Sequence, residues 1–192
     1  MTVVLVLVTF LVFILLDWAL NRKKAVQTAP APSPATVSPA MAPAYVEGFL
    51  VPEEMAYHPG HGWALRERRN LVRVGVDEFA AALIGRAEKI EIPKPGQWVR
   101  QGQKVWSFYR EGEKTEMVSP TEGEVVEINA DVLRDPSLLR TDPYGKGWLA
   151  TLHVPDEENT ARNMVPAHSV RSWMRESVER LYSLQPRLAG AV

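Results

Sequence analysis

The chain has 192 residues, with 22 basic and 23 acidic side chains and a net charge of −1. That balance excludes a general nucleic-acid binder, which needs a surplus of cations to neutralise phosphates. There is no cysteine, so disulfides, thiol catalysis and cysteine-held zinc or iron–sulfur centres are excluded too.

The first segment, TVVLVLVTFLVFILLDWAL (Thr2 to Leu20), is apolar apart from two threonines and Asp17. As a helix it is about 28 Å long at ~1.5 Å per residue, close to the thickness of a bilayer's hydrocarbon core. Residues 1–24 therefore read as a transmembrane anchor with a basic flank. A cleaved signal normally places its basic residues before the apolar core, whereas here Arg22, Lys23 and Lys24 follow it. The positive-inside rule puts these three on the cytoplasmic side. The expected arrangement is a single-pass membrane protein with its N-terminus outside and its soluble part cytoplasmic. Asp17 and Trp18 then lie at the inner interface.

Residues 25–44 carry five prolines among Ala, Ser and Thr. Such a segment cannot build a core and favours extended, polyproline-like conformers. It is expected to act as a tether reaching about 60 Å at ~3.1 Å per residue.

Residues 45–165 are expected to form the globular domain. Leu71 to Val76 (LVRVGV) alternates as a half-buried strand does. DEFAAALIG follows as a short helix, with Asp77 as N-cap and Gly85 as stop. Ala87 to Pro93 alternates again, and Gly96 and Gly102 centre two turns. Phe108 to Pro120 (FYREGEKTEMVSP) reads as a hairpin, and Gly123 to Asn129 as a further strand. After a turn at Asp142 to Gly147, the last strand runs to Val154. Short strands at this spacing predict a small, mainly β barrel or sandwich.

Residues 166–185 are predicted to be an amphipathic helix. Val170, Trp173, Met174, Val178, Leu181 and Leu184 fall on one face, and the arginines and glutamates on the other. Packing of that stripe on the chain's own domain is expected in preference to a partner-binding role. Pro186 and Gly190 are expected to end the helix, leaving a short tail, 186–192.

Taken together, VRVGVDEFAAALIGRAEKIEIPKPGQWVRQGQKVW, SPTEGEVVEIN and DPYGKGWL resemble the glycine cleavage system H protein family in order and spacing. YHPGHGWA (Tyr57 to Ala64) resembles the start of that domain. The resemblance covers Tyr57 to Val154, roughly half the chain. It implies a lipoyl/biotinyl-like flattened β-barrel of two antiparallel sheets with short helices. Gly96, Gly102, Gly123, Gly145 and Gly147 would occupy turns that favour positive φ.

In that family a lysine at a hairpin tip carries lipoic acid on an amide bond, and the arm shuttles an aminomethyl group between enzymes. The family pattern there runs close to ESVKA, with a proline eight residues after the lysine. The matching proline here is Pro120, and counting back eight reaches Gly112. Tyr109, Arg110, Glu111, Gly112 and Glu113 stand at the motif positions, so the resemblance implies a carrier position without its lysine. Lys114, two residues on, is the alternative lipoyl site. It keeps the strand face but stands about 6 to 7 Å down one arm at ~3.3 Å per residue.

Elsewhere, His58 and His61 in HPGH could share a metal, but no third ligand accompanies them and a structural role is expected. His153 and His168 fall in no catalytic pattern. Trp63, Trp98, Trp106 and Trp148 are expected to anchor the core and its edges. The leading expectation is a non-enzymatic, unlipoylated adaptor that binds a protein partner the sequence does not identify. It takes no cofactor or metal, touches no nucleic acid, and reaches the membrane through its N-terminal helix. The alternative is a working carrier of an aminomethyl or acyl group with lipoate on Lys114. A third idea is a cleft beside the hairpin that binds a small metabolite or another protein's lipoyl arm.

Overall fold

A computed structural model of the chain describes residues 44–189, save 157, 159, 160 and 162. They belong to one compact unit. The expected anchor and nearly all of the tether lie outside them. Among the described residues no helix is long and apolar enough to cross a membrane.

Every strand pair is antiparallel. A two-residue ribbon, β1 (Tyr45–Val46) and β2 (Phe49–Leu50), opens the described chain. β3 (Ala56–Tyr57), β4 (Gly62–Arg68) and β5 (Leu71–Val76) lead to α1 (Glu78–Ile84). Then come β6 (Lys89–Glu91), β7 (Trp98–Val99), β8 (Lys104–Arg110), β9 (Glu113–Val118) and β10 (Gly123–Ile128). Two short helices, α2 (Ala130–Arg134) and α3 (Leu138–Thr141), precede β11 (Ala150–His153), and the chain closes with α4 (Val170–Ala189). The sheets have six strands in the order β3-β4-β5-β11-β10-β7 and three in the order β6-β8-β9. The expected mainly β architecture with short helices is thus present, with a small extra ribbon beside the two main sheets.

The alternation in LVRVGV does what its period requires. Val72, Val74 and Val76 point into a core shared with Trp106 and Phe108 of the smaller sheet and Val125 and Leu152 of the larger one. On the other face of β5, Gly75 lies opposite Trp63, and a Cβ there would stand 2.5 Å from the indole. The Trp63 indole N–H donates to the Val76 carbonyl at 2.9 Å.

A second apolar cluster lies on that outer face. Tyr57, Trp63 and Phe79 pack with Val46, Val51 and Met55 from the N-terminal ribbon and with Val170, Met174 and Val178 from α4. The helix stripe therefore packs on its own domain, while Leu184 at its far end stays exposed. Arg171 pairs with Glu53 at 2.6 Å and Arg175 with Glu47 at 3.5 Å, which tie the exposed flank of α4 to the segment around the ribbon.

Three expectations are corrected. α4 runs past Pro186 to Ala189. A proline inside a helix ordinarily kinks or ends it, because it lacks an N–H and meets the carbonyl four residues back, so this stretch departs from the rule behind the expectation. Gly145 and Gly147 do not have positive φ. They are glycines because backbone or carboxylate comes too close for a side chain: a Cβ at Gly147 would meet the Leu138 carbonyl at 2.6 Å, and one at Gly145 would meet the Asp142 carboxylate. Finally, the stretch after Gly123–Ile128 holds two helices that the strand-and-turn reading did not separate. Asn129 caps the first, accepting from the Asp131 and Val132 amides, while its own amide donates to the Lys146 and Trp148 carbonyls at 2.8 Å each.

Met174 is fully buried in the second cluster. Met174→Ala is expected to cost about 2–5 kcal/mol in denaturant titrations, as other large-to-small core changes do. The same cluster sets an alkaline limit. Burial is the main cause that pushes the Tyr57 phenol well above its ordinary value near 10, and Tyr144 is raised in the same way. Folding keeps these groups neutral where the unfolded chain would ionise, so their contribution is intact below pH ~10 and declines as pH rises beyond it. Thermal midpoints measured from pH 8 to pH ~11.5 should fall, and Tyr57→Phe should make the decline shallower while lowering the neutral-pH midpoint.

Candidate functional site

The hairpin of β8 and β9 is closed by a two-residue turn. Arg110 lies opposite Glu113, and between them Glu111 and Gly112 have φ of 53° and 81°. Two successive positive φ values define the turn type whose twist matches a β-ribbon, and glycine is favoured at its second position. A Cβ on Gly112 would meet nothing within 4 Å, so the tip projects into open space. Below the tip, Arg110 donates to the Ile84 carbonyl at 3.4 Å and fastens the hairpin to the end of α1.

Gly112 is thus at the summit, and Lys114 is the second residue of β9, down one arm. Lys114 lies opposite Tyr109, which lies opposite Lys89 on β6. Its amine donates to Glu116 at 2.8 Å, and that bond is the main cause raising its pKa above the usual lysine value. The same bond holds Glu116 below the ordinary carboxylate range. One strand over, Lys89 donates to Glu91 at 2.7 Å and the Tyr109 hydroxyl donates to Glu91 at 2.7 Å. The outer face of the three-stranded sheet is therefore a lattice of paired charges across neighbouring strands.

The histidine pair does not converge on a common point. His61 Nδ1 lies 2.7 Å from Asp77, and its ring stacks on Trp173 of α4 at 4.7 Å. His58 Nδ1 accepts from the Gly60 amide at 3.0 Å, and burial lowers its pKa. Among the described residues no group of three or more His, Cys, Asp or Glu could hold a metal. His153 ends β11, and His168 sits in the 3₁₀ turn Ala167–Ser169. Trp63 and Trp106 are fully buried, whereas Trp98 is 51% exposed at the sheet edge.

The cleft expected beside the hairpin was given no lining by sequence reasoning; in the structure Leu83 of α1 borders both the space under the tip and a cleft lined by His61, Phe79, Trp173, Leu181 and Leu184. The clue was the apolar stripe of α4 running past the residues needed to cover the domain.

The model of the "Glycine cleavage H-protein" family matches residues 55–177. A glycine cleavage system H protein of Thermobifida fusca is 35% identical over 108 residues, which are 56% of this chain and 84% of that protein. Its counterpart in Mycobacterium leprae is 31% identical over 106 residues, 55% and 80% of the two chains. The crystal structure of the H protein from Mycobacterium marinum superposes with a TM-score of 0.51 at 26% identity, covering 55% of this chain and 87% of that one. With the family pattern spanning most of the described domain, the chain belongs to the glycine cleavage H-protein family.

Proposed function

We propose that this protein is a membrane-tethered H-protein-like domain that carries no lipoate and serves as a non-catalytic docking module for another protein. The observation behind the reading is the hairpin tip, where Glu111 and Gly112 form the turn and no amine is present. Lys114 is a poor substitute on two physical grounds. It stands below the summit on a regular strand, and its amine is hydrogen-bonded to Glu116, which favours the protonated, non-nucleophilic form. Tethering is supported by the apolar run Thr2 to Leu20 and the basic residues Arg22, Lys23 and Lys24 after it. The same charges support a cytoplasmic placement of the domain. The alternative, a carrier with lipoate on Lys114, draws on family membership and on the partial exposure of that side chain.

Intact mass of the protein from its native host separates the two. The proposal expects no lipoyl-sized increment; an increment that Lys114→Arg abolishes would establish the carrier instead. Gly112→Lys is the complementary variant. It places an amine at the summit, at a backbone cost of about 1–2 kcal/mol for a side chain at positive φ. Co-expression with a lipoate ligase should then add the lipoyl mass to Gly112→Lys and leave the parent unmodified. Deleting residues 1–24 should move the protein from the membrane fraction to the soluble one.

A further inference from the structure

β9 is the longest strand edge left open among the described residues. It ends the three-stranded sheet with six residues, whereas the opposite edge β6 has three, and the edges of the larger sheet, β3 and β7, have two each. Glu113 through Glu116 are all exposed. An open edge of this length is a template for pairing, which charged side chains ordinarily discourage. Here the charges point the other way.

The closing pair of a two-residue hairpin, Arg110 and Glu113, exchanges both of its backbone hydrogen bonds. Alternation then turns the N–H and C=O groups of Glu113 and Thr115 toward β8, and those of Lys114 and Glu116 toward the open edge. A strand that adds antiparallel must use those outward groups. If that strand is β9 of a second copy, three registers centred within Lys114 to Glu116 use them. Centring on Lys114 sets lysine against lysine, and centring on Glu116 sets glutamate against glutamate. Centring on Thr115 sets Lys114 against Glu116 of the other copy, twice, and makes four backbone hydrogen bonds across a two-fold axis. In this register Lys114 and Glu116, already paired within each chain at 2.8 Å, complete a ring of four alternating charges.

We propose that β9 is a self-complementary edge through which two copies of this chain pair antiparallel about Thr115, joining two three-stranded sheets into one of six strands. Pairing of this kind is isologous, with the same patch contributed by each copy. It rests on the reading that Lys114 is unmodified, because a lipoyl amide there would remove the charge that faces Glu116.

The cysteine-free sequence supplies a direct test. In the proposed register the two Thr115 residues form a non-hydrogen-bonded pair with Cα atoms about 4.5 Å apart, within disulfide reach. The 192-residue chain in detergent micelles, carrying Thr115→Cys, should cross-link to a dimer on addition of diamide, which accepts the two electrons and two protons released by the thiols. Val126→Cys, exposed on β10 of the other sheet, should cross-link far more slowly. In the Thr115→Cys background, Lys114→Glu or Glu116→Lys alone should reduce the cross-linked product roughly tenfold, because each sets like charges face to face. The double exchange Lys114→Glu with Glu116→Lys should restore it. Equal cross-linking at Thr115 and Val126, or failure of the double exchange to restore it, would overturn the proposal.

Discussion

One buried carboxyl group, Asp77, joins the start of α1 to the turn between β3 and β4. It is fully buried. One oxygen accepts from the Ala80 amide at 2.7 Å and starts α1; the other meets His61 at 2.7 Å. The backbone amide of Asp77 also donates to the His61 carbonyl at 3.0 Å, which holds His61 at φ 60°. A buried polar group of this kind is tolerated only when its bonding capacity is met, and here α1 and the β3–β4 turn meet it together. Everything that leans on those elements inherits their position: α4 through Trp173 stacked on His61, the ribbon through the Leu50 amide bonded to Glu78, and the hairpin through Arg110 at the end of α1.

The hairpin inherits rigidity from this arrangement as well as position. It is tied to α1 just below its tip, its strands pair in register from Trp106 and Met117 up to the turn, and its turn is the tight two-residue type. A rigid projecting tip suits an exposed attachment point or a contact surface equally well, and the chemistry at the summit decides between them. A summit of glutamate and glycine offers a shape and a charge to a partner, and no amine to acylate. The family assignment and the proposed loss of carrier chemistry are therefore compatible, since the first depends on the barrel and the second on two turn residues.

The second apolar cluster has a different origin. It forms because residues before the family-matched region and the helix at its end cover the outer face of β3 and β4 together. The face that Trp63 presents is too large and apolar to leave in water, and burial of such side chains is worth roughly 1.5–3 kcal/mol each. Two segments more than a hundred residues apart meet there, and ion pairs line their exposed margin.

The elements whose causes are local were legible in the amino-acid order. The alternation of LVRVGV, the cap at Asp77, the stop at Gly85 and the hairpin within Phe108–Pro120 each arise locally, where sterics and hydrogen bonding act without help from the rest of the chain. The apolar stripe of α4 was legible for the same reason, and so was the absence of lysine from the hairpin summit. What the order of residues alone left open depended on contacts distant in sequence. Gly145 and Gly147 are required by approaching oxygens rather than by their own φ; the cap at Asn129 is local, but the Lys146 and Trp148 carbonyls that accept from its side-chain amide come from further along the chain. The pairing of Lys114 with Glu116 needed only a strand's period, but tertiary structure decided that β9 would stand at an open edge, because strand order is set by which faces must be buried together.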